Sequence, residues 1–145
     1  MTRSYVQGAY KPINPEKYVG TYPIIFRSSW EQKVMIMFDT NPNIMSWASE
    51  SLKIPYQNPF TGKYTVYIPD FVVTYTDAGG KTKAEIIEVK PAKETFVEQA
   101  KSQQNKMAVA LNHFKWAAAS AFAKSHGMTF RVMNEGNIFN NPKGK

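Results

Sequence analysis

The chain has 145 residues, 43% of them hydrophobic and 14% aromatic, with 18 basic against 11 acidic side chains and a net charge of +7. That is the length of one domain with enough apolar mass for a core, and it is too apolar for a disordered chain. The absence of cysteine excludes disulfides, a thiol nucleophile and cysteine-ligated zinc, and no apolar run approaches the ~20 residues of a membrane span.

No signal core follows Met1, so neither secretion nor a membrane is expected, and the positive balance suits a polyanionic partner such as nucleic acid. Residues 1–25 carry Pro12, Pro15 and Pro23, several tyrosines, and Arg3, Lys11 and Lys17 without a period. They read as an irregular arm that packs on the domain through its tyrosines, with a basic, aromatic arm that touches DNA or a partner as the alternative. Arg27-Ser28-Ser29-Trp30-Glu31 starts a helix running to about Phe38, with Trp30, Val34, Met37 and Phe38 as its core stripe. Ser28-x-x-Glu31 matches a capping box, which is the structural reading of Glu31.

Ile44 to Tyr56 reads as a strand, with Glu50 in its middle either facing solvent or assisting a site. A loop over Asn58–Gly62 leads to a second strand, Tyr64 to Tyr75, in which Pro69 cannot donate to a ladder and implies an edge or bulge just before Asp70. Asp77-Ala78-Gly79-Gly80 is a hairpin turn, and Lys83 to Lys90 is the third strand, stopped by Pro91. Thr95-x-x-Glu98 opens a helix from about Phe96 to Ala110, Asn112 caps another over His113–Ser125, and Gly127 closes it. Met128 to Met133 alternates as a last strand before a tail rich in Gly, Asn and Lys. The pattern predicts an α/β fold: an αβββαβ core with a mixed four-stranded sheet flanked by helices, the fourth strand parallel to the third. The expected units are an arm at 1–25, a domain at 26–135 and a tail at 136–145.

Within this order, Ile86-Ile87-Glu88-Val89-Lys90-Pro91 is an unusual strand, because a carboxylate and a lysine interrupt an apolar run. Glu88 and Lys90 share a face, ~7 Å apart along the backbone, while Ile87 and Val89 turn to the core. If the strands bearing Asp70 and Glu88 pair, two carboxylates and an ammonium converge at one end of the sheet. Those are the parts that hold a hard divalent cation and activate a water near a phosphate. The competing reading is a solvated cross-strand charge pair beside an edge-strand aspartate. His113 and His126 are too few for a histidine-metal site and read as helix-surface residues. No phosphate loop ending in Gly-Lys-Ser/Thr and no Gly-x-Ser-x-Gly elbow occurs, so no nucleotide cofactor is expected.

Pro69-Asp70 followed by Glu88-x-Lys90 resembles the PD-(D/E)xK motif of the restriction-endonuclease-like nucleases, whose core order is the one read above. Either fragment alone arises by chance. Here both lie on neighbouring apolar strands behind a glutamate-bearing helix. Trp47-Ala48-Ser49-Glu50, Ile54-Pro55-Tyr56, Lys93-Glu94-Thr95 and Lys115-Trp116-x-Ala118 add a likeness to the head completion nucleases of large tailed phages, and the related transposon-end endonucleases share the general pattern. The resemblance spans about Arg27 to Glu135.

It implies Mg²⁺-dependent cleavage of double-stranded or branched DNA, with Mn²⁺ able to substitute. Asp70 and Glu88 would ligate the metal, with the Val89 carbonyl as a third protein ligand. Lys90 would orient the water or stabilise the phosphate, and Glu31 would support the site or ligate another metal. Arg27 and Lys93 would contact phosphate, with Glu50 as an auxiliary. The implied setting is the host cytoplasm during phage assembly, at the packaged head or in the virion head and neck, beside portal or neck proteins. Alternatives on the same fold are a junction resolvase, a transposon-end endonuclease, or a structural head protein with a vestigial site.

Overall fold

The computed structural model describes residues 6–95 and 102–139. In chain order the elements are β1 (Gly8–Tyr10), β2 (Ile24–Phe26), α1 (Ser29–Thr40), β3 (Ile44–Ser49), β4 (Ile54–Gln57) and β5 (Tyr64–Tyr67). They continue as β6 (Phe71–Thr76), β7 (Thr82–Val89), α2 (Gln103–Ser125), β8 (Thr129–Met133) and α3 (Glu135–Phe139). The central sheet runs β3-β6-β7-β8, antiparallel through β7 and parallel between β7 and β8. The α2 crossover permits that last pairing, as the pattern predicted. The αβββαβ core is therefore present, with the hairpin β4–β5 inserted as a separate two-stranded sheet.

Alternation along β7 sorts its residues into two cores. Ile87 and Val89 join Trp30, Val34, Phe38, Trp47, Phe71 and Met133 beneath α1. Ile86 joins Ile54, Tyr67, Trp116, Ala119 and Ala123 beneath α2 and the β4–β5 hairpin. The sheet is thus covered on both sides, and the residues at its end emerge between the two layers.

Several expected elements divide or merge. The strand expected over Ile44–Tyr56 breaks at Glu50, whose φ of +50° cannot continue a ladder. The strand expected over Tyr64–Tyr75 breaks at Ile68-Pro69-Asp70, so Pro69 marks a gap between two strands in different sheets rather than an edge. The two expected helices after residue 102 are one helix, because Val109, Trp116, Ala119 and Ala123 stay in helical phase across Asn112, which caps nothing. Ser102 is its N-cap; Thr95 instead closes the short turn Ala92–Glu94, and the expected start at Phe96 to Glu98 lies outside the described residues. In α1 the buried stripe is Trp30, Val34, Met35 and Phe38, with Met37 only half-buried. Gly127 follows α2 with a φ of +71°, as a C-terminal cap requires.

From residue 6 onward, the N-terminal arm is not irregular. Its two strands pair with each other, and Tyr10 and Tyr18 stack edge-on against Trp47. Fully buried Asp39 fastens it to α1: Tyr10 Oη–H and the Ile13 N–H donate to Oδ2, and the Asn14 N–H donates to Oδ1. Burial opposes the charge on Asp39, but these donors outweigh it and hold the carboxyl below its ordinary value. The Lys17 ammonium donates to the Asp39 and Asn41 carbonyls at the C-terminal end of the helix. At the other terminus, α3 adds Ile138 to the same core, in a stretch read as tail.

Asp39→Ala is expected to cost about 3 kcal/mol in urea unfolding, since it leaves three donors without their charged acceptor. A carboxyl with a depressed folded pKa stabilises above its unfolded value near 4 and loses that stabilisation as pH falls through the folded one. Asp39→Asn should therefore flatten the acid limb of the stability curve, measured by thermal melts between pH 2 and about 6.

Candidate active site

The β6–β7 ladder ends at Phe71↔Ile87, and one step further along the same register places Asp70 opposite Glu88. Residues directly opposed across an antiparallel pair project to the same face, so the two carboxylates are neighbours. Asp70 Oδ2 also accepts the Val89 N–H at 2.8 Å, which binds the aspartate to the strand that carries Glu88. On its other side, the Glu50 N–H donates to the Asp70 carbonyl at 2.9 Å. The segment after Pro69 is thereby clamped from both flanks at the point where the strands part.

Glu88 is 8% exposed. Its Oε1 accepts the Tyr67 hydroxyl at 2.6 Å, and its Oε2 lies 3.8 Å from the Lys90 ammonium. The Lys90 N–H donates to the Met133 carbonyl, which keeps Lys90 in line with β7. Glu88 and Lys90 share a face while Ile87 and Val89 enter the α1 core, as the alternation predicted.

Glu31 reaches the same region from the first turn of α1. Ser28 Oγ accepts the Glu31 N–H at 3.2 Å and so caps the helix. The Glu31 carboxylate reaches back to Ser28 Oγ at 3.4 Å and to the Arg27 N–H at 3.2 Å. The capping box is therefore formed, with its return bond taken by the residue before the cap. Its charge is also felt by both Asp70 and Glu88. Capping and site membership are held by one side chain.

The electrostatics follow from this crowding. Burial, then the charges of Glu88 and Glu31, drive the Asp70 carboxyl well up, against the Val89 N–H and Lys90. Burial likewise raises Glu88, although Tyr67, Lys90 and the Asp70 backbone favour its charged form. Burial and the charge of Glu50 raise Glu31, against its bonds to Arg27 and Ser28. Burial and the Glu88 charge push the Tyr67 phenol far up, so it remains a donor.

At the rim, the exposed Arg27 guanidinium grips Glu50 in a fork, at 3.0 and 3.1 Å. Arg27 and Glu50, expected as separate accessories, thus form one pair. Lys93 lies in the turn just after β7, and its side chain is outside the described residues. His113 and His126 are exposed on α2 or at its end, and His113 stands 5.3 Å from Trp116 between ring centroids with its Nε2 at the Thr95 carbonyl. A cavity of about 410 Å³ opens at the opposite end of the sheet, lined in part by Phe38, Ile44, Tyr75, Glu85 and Arg131, and shares no residue with this cluster.

Reading the sequence alone passed over Tyr67, because one strand was expected to run through it into β6. It also missed Glu135, whose Oε1 accepts the Ala92 N–H at 2.9 Å and fixes the turn after Lys90. No spacing links either residue to the motif.

Among the described residues, no group of three or more Asp, Glu or His side chains is gathered closely enough to enclose a metal ion. The close donors are two hard-oxygen carboxylates, Asp70 and Glu88, which repel each other in a buried setting. That donor chemistry fits a Mg²⁺-type ion, which takes one or two carboxylates and completes its octahedron with water and substrate oxygens.

The TnsA-like endonuclease N terminal family matches residues 41–135 of the chain. The chain is also 34% identical over 139 residues to the Head completion nuclease of Enterobacteria phage T4, covering 88% of this chain and 90% of that relative.

A carboxyl raised in the folded state destabilises the fold increasingly as pH climbs from its unfolded value near 4 through the folded one. In metal-free buffer, Asp70→Asn should therefore melt higher than wild type at pH 8, by about 3 °C per kcal/mol relieved. The gain should vanish near pH 4, as read by differential scanning calorimetry.

Proposed function

Because the chain belongs to the TnsA-like endonuclease N terminal family, we propose that it is a divalent-metal-dependent DNA endonuclease that acts in phage head completion. The observation that carries the chemistry is the pairing of Asp70 with Glu88 at the end of the β6–β7 ladder, with Lys90 beside them. The similarity to the phage T4 protein named Head completion nuclease, over 88% of this chain, supports the setting. It reaches beyond the family match, which begins at residue 41, and favours this reading over a resolvase or a transposon-end enzyme.

Asp70 and Glu88 would hold Mg²⁺, or Mn²⁺ in its place, with the Val89 carbonyl or Glu31 as further oxygen donors. When bound, the cation supplies Lewis-acid charge that polarises the scissile phosphate and eases deprotonation of a water. The Val89 N–H keeps one Asp70 oxygen pointed along β7 and leaves the other for this work. Lys90 is held 3.8 Å from Glu88, where its ammonium can meet the negative charge that develops on the phosphate. Glu31 and the buried surroundings keep the pocket short of positive charge until metal and DNA arrive. The chain's net charge of +7 favours DNA encounter at low salt. Arg27 engages phosphate by exchanging its fork on Glu50 for one on the backbone, and Lys93 is placed just beyond Lys90 in sequence. The DNA would be processed in the host cytoplasm at the packaged head, before the neck or tail joins.

Wild type should nick or cut duplex or branched DNA with Mg²⁺ and lose that activity in EDTA. Asp70→Ala and Glu88→Ala should lower the rate at least about 100-fold, and Lys90→Ala by about 100- to 1,000-fold, without loss of metal-free DNA binding. Wild type inert with every divalent metal and DNA form would overturn the assignment. For the setting, a phage whose only copy carries Glu88→Ala should accumulate DNA-filled heads without tails. A normal plaque yield would assign the protein a structural role instead.

A further inference from the structure

Tyr67 is the nearest neighbour of Glu88 that no motif predicts. It does not belong to the central sheet. It ends β5, in a hairpin whose inner residues Ile54, Tyr56 and Tyr67 pack with Trp116 and Ala119 of α2. Both Tyr67 and Glu88 are buried, and their hydrogen bond of 2.6 Å is confined to one carboxylate oxygen, Oε1. The other oxygen, Oε2, lies 3.8 Å from the Lys90 ammonium, and the Asp70 backbone N–H also favours the charged carboxylate.

The direction of the bond is set by its surroundings. The Trp116 indole N–H, which can only donate, acts on the same phenol from the α2 side. An ionised carboxylate can only accept, so the one proton of the phenol goes to Glu88. The Lys115 ammonium stands 6.0 Å from the Tyr67 ring centroid, over the ring that carries this bond. Helix α2 and the β4–β5 hairpin, which bring no carboxylate to the site themselves, therefore both act on the orientation of one carboxylate.

We propose that Tyr67 is a positioning residue for the metal site: it holds Glu88 through Oε1 and so leaves Oε2 as the oxygen to be presented as a ligand, with Trp116 packed behind it. This deepens the nuclease reading and rests on it. Carboxylate ligands held by such a hydrogen bond lose 10- to 100-fold in metal affinity or activity when the partner is removed. A residue that merely filled space beneath α2 would affect melting and leave metal affinity alone. Tyr67→Phe separates the two, because it keeps the ring, the packing and the Lys115 contact and deletes only the hydroxyl.

The test is a Mn²⁺ titration of the full chain, by calorimetry or electron paramagnetic resonance, with thermal melts on the same samples. Tyr67→Phe should bind Mn²⁺ about 10- to 100-fold more weakly than wild type, with metal-free DNA binding unchanged. Its cleavage should need more metal, and saturating Mn²⁺ should recover most of the rate. Trp116→Phe keeps the phenol and an aromatic ring in the α2 core while losing the indole donor, so it should shift Mn²⁺ affinity in the same direction, with its melt on the same samples separating any packing loss, and it serves if Tyr67→Phe fails to fold. Wild type that binds Mn²⁺ while both variants bind as tightly overturns the role of Tyr67 and leaves the nuclease reading standing. Wild type that binds no Mn²⁺ overturns the metal reading beneath it.

Discussion

Asp70 and Glu88 are held side by side against their own repulsion, and the architecture around them serves that juxtaposition. Neither carboxylate would choose a buried site next to the other, since each loses hydration and gains a like charge. What keeps them there is backbone. The β6–β7 register sets them opposite, the Val89 amide binds one to the other's strand, and the Glu50 amide closes the far side. The folding energy that enforces this comes from Ile87, Val89, Phe71 and their neighbours in the α1 core, together with Ile86 in the α2 core. A site arranged this way is short of positive charge by construction.

The supports arrive from elements other than the two strands that carry the pair. The β4–β5 hairpin supplies Tyr67, and α2 supplies Trp116 and Lys115 behind it. The first turn of α1 supplies Glu31, held by the same Ser28 that caps the helix. Glu50 stands at a φ of +50°, a conformation of sparse population for a non-glycine residue, of order 1–3 kcal/mol. Its amide binds Asp70 and its carboxylate binds Arg27, so this bend both ends β3 and fastens the rim. At the other end of α1, Asp39 draws in the arm, and the arm covers Trp47 with Tyr10 and Tyr18.

The order of core elements was legible because it rests on local pattern: the α1 stripe, the alternation of β7, the turn at Asp77–Gly80 and the cap at Gly127 all carry their period or their special residue in the chain itself. The nearness of Asp70, Glu88 and Lys90 was legible for the same reason. A hairpin of short connection leaves only one register that buries Phe71 and Ile87 on the same side. The breaks at Glu50 and Ile68-Pro69-Asp70 were not legible, because apolar and β-branched residues continue through both and only long-range bonds make the chain bend. Asn112 misled for the opposite reason, since a good capping residue sits inside a helix whose buried face never loses phase.

By itself, then, the order of residues determined the αβββαβ core, the basic character of the surface and the identity of the two carboxylates and the lysine that meet at the sheet's end. Those properties depend on composition and on spacings of a few residues. The tertiary structure alone decided that Tyr67 bonds Glu88 across 21 positions, that Arg27 forks onto Glu50 across 23, and that Asp39 gathers an arm lying 25 or more positions upstream. No local period encodes such contacts, because they form only when separately folded layers close on one another.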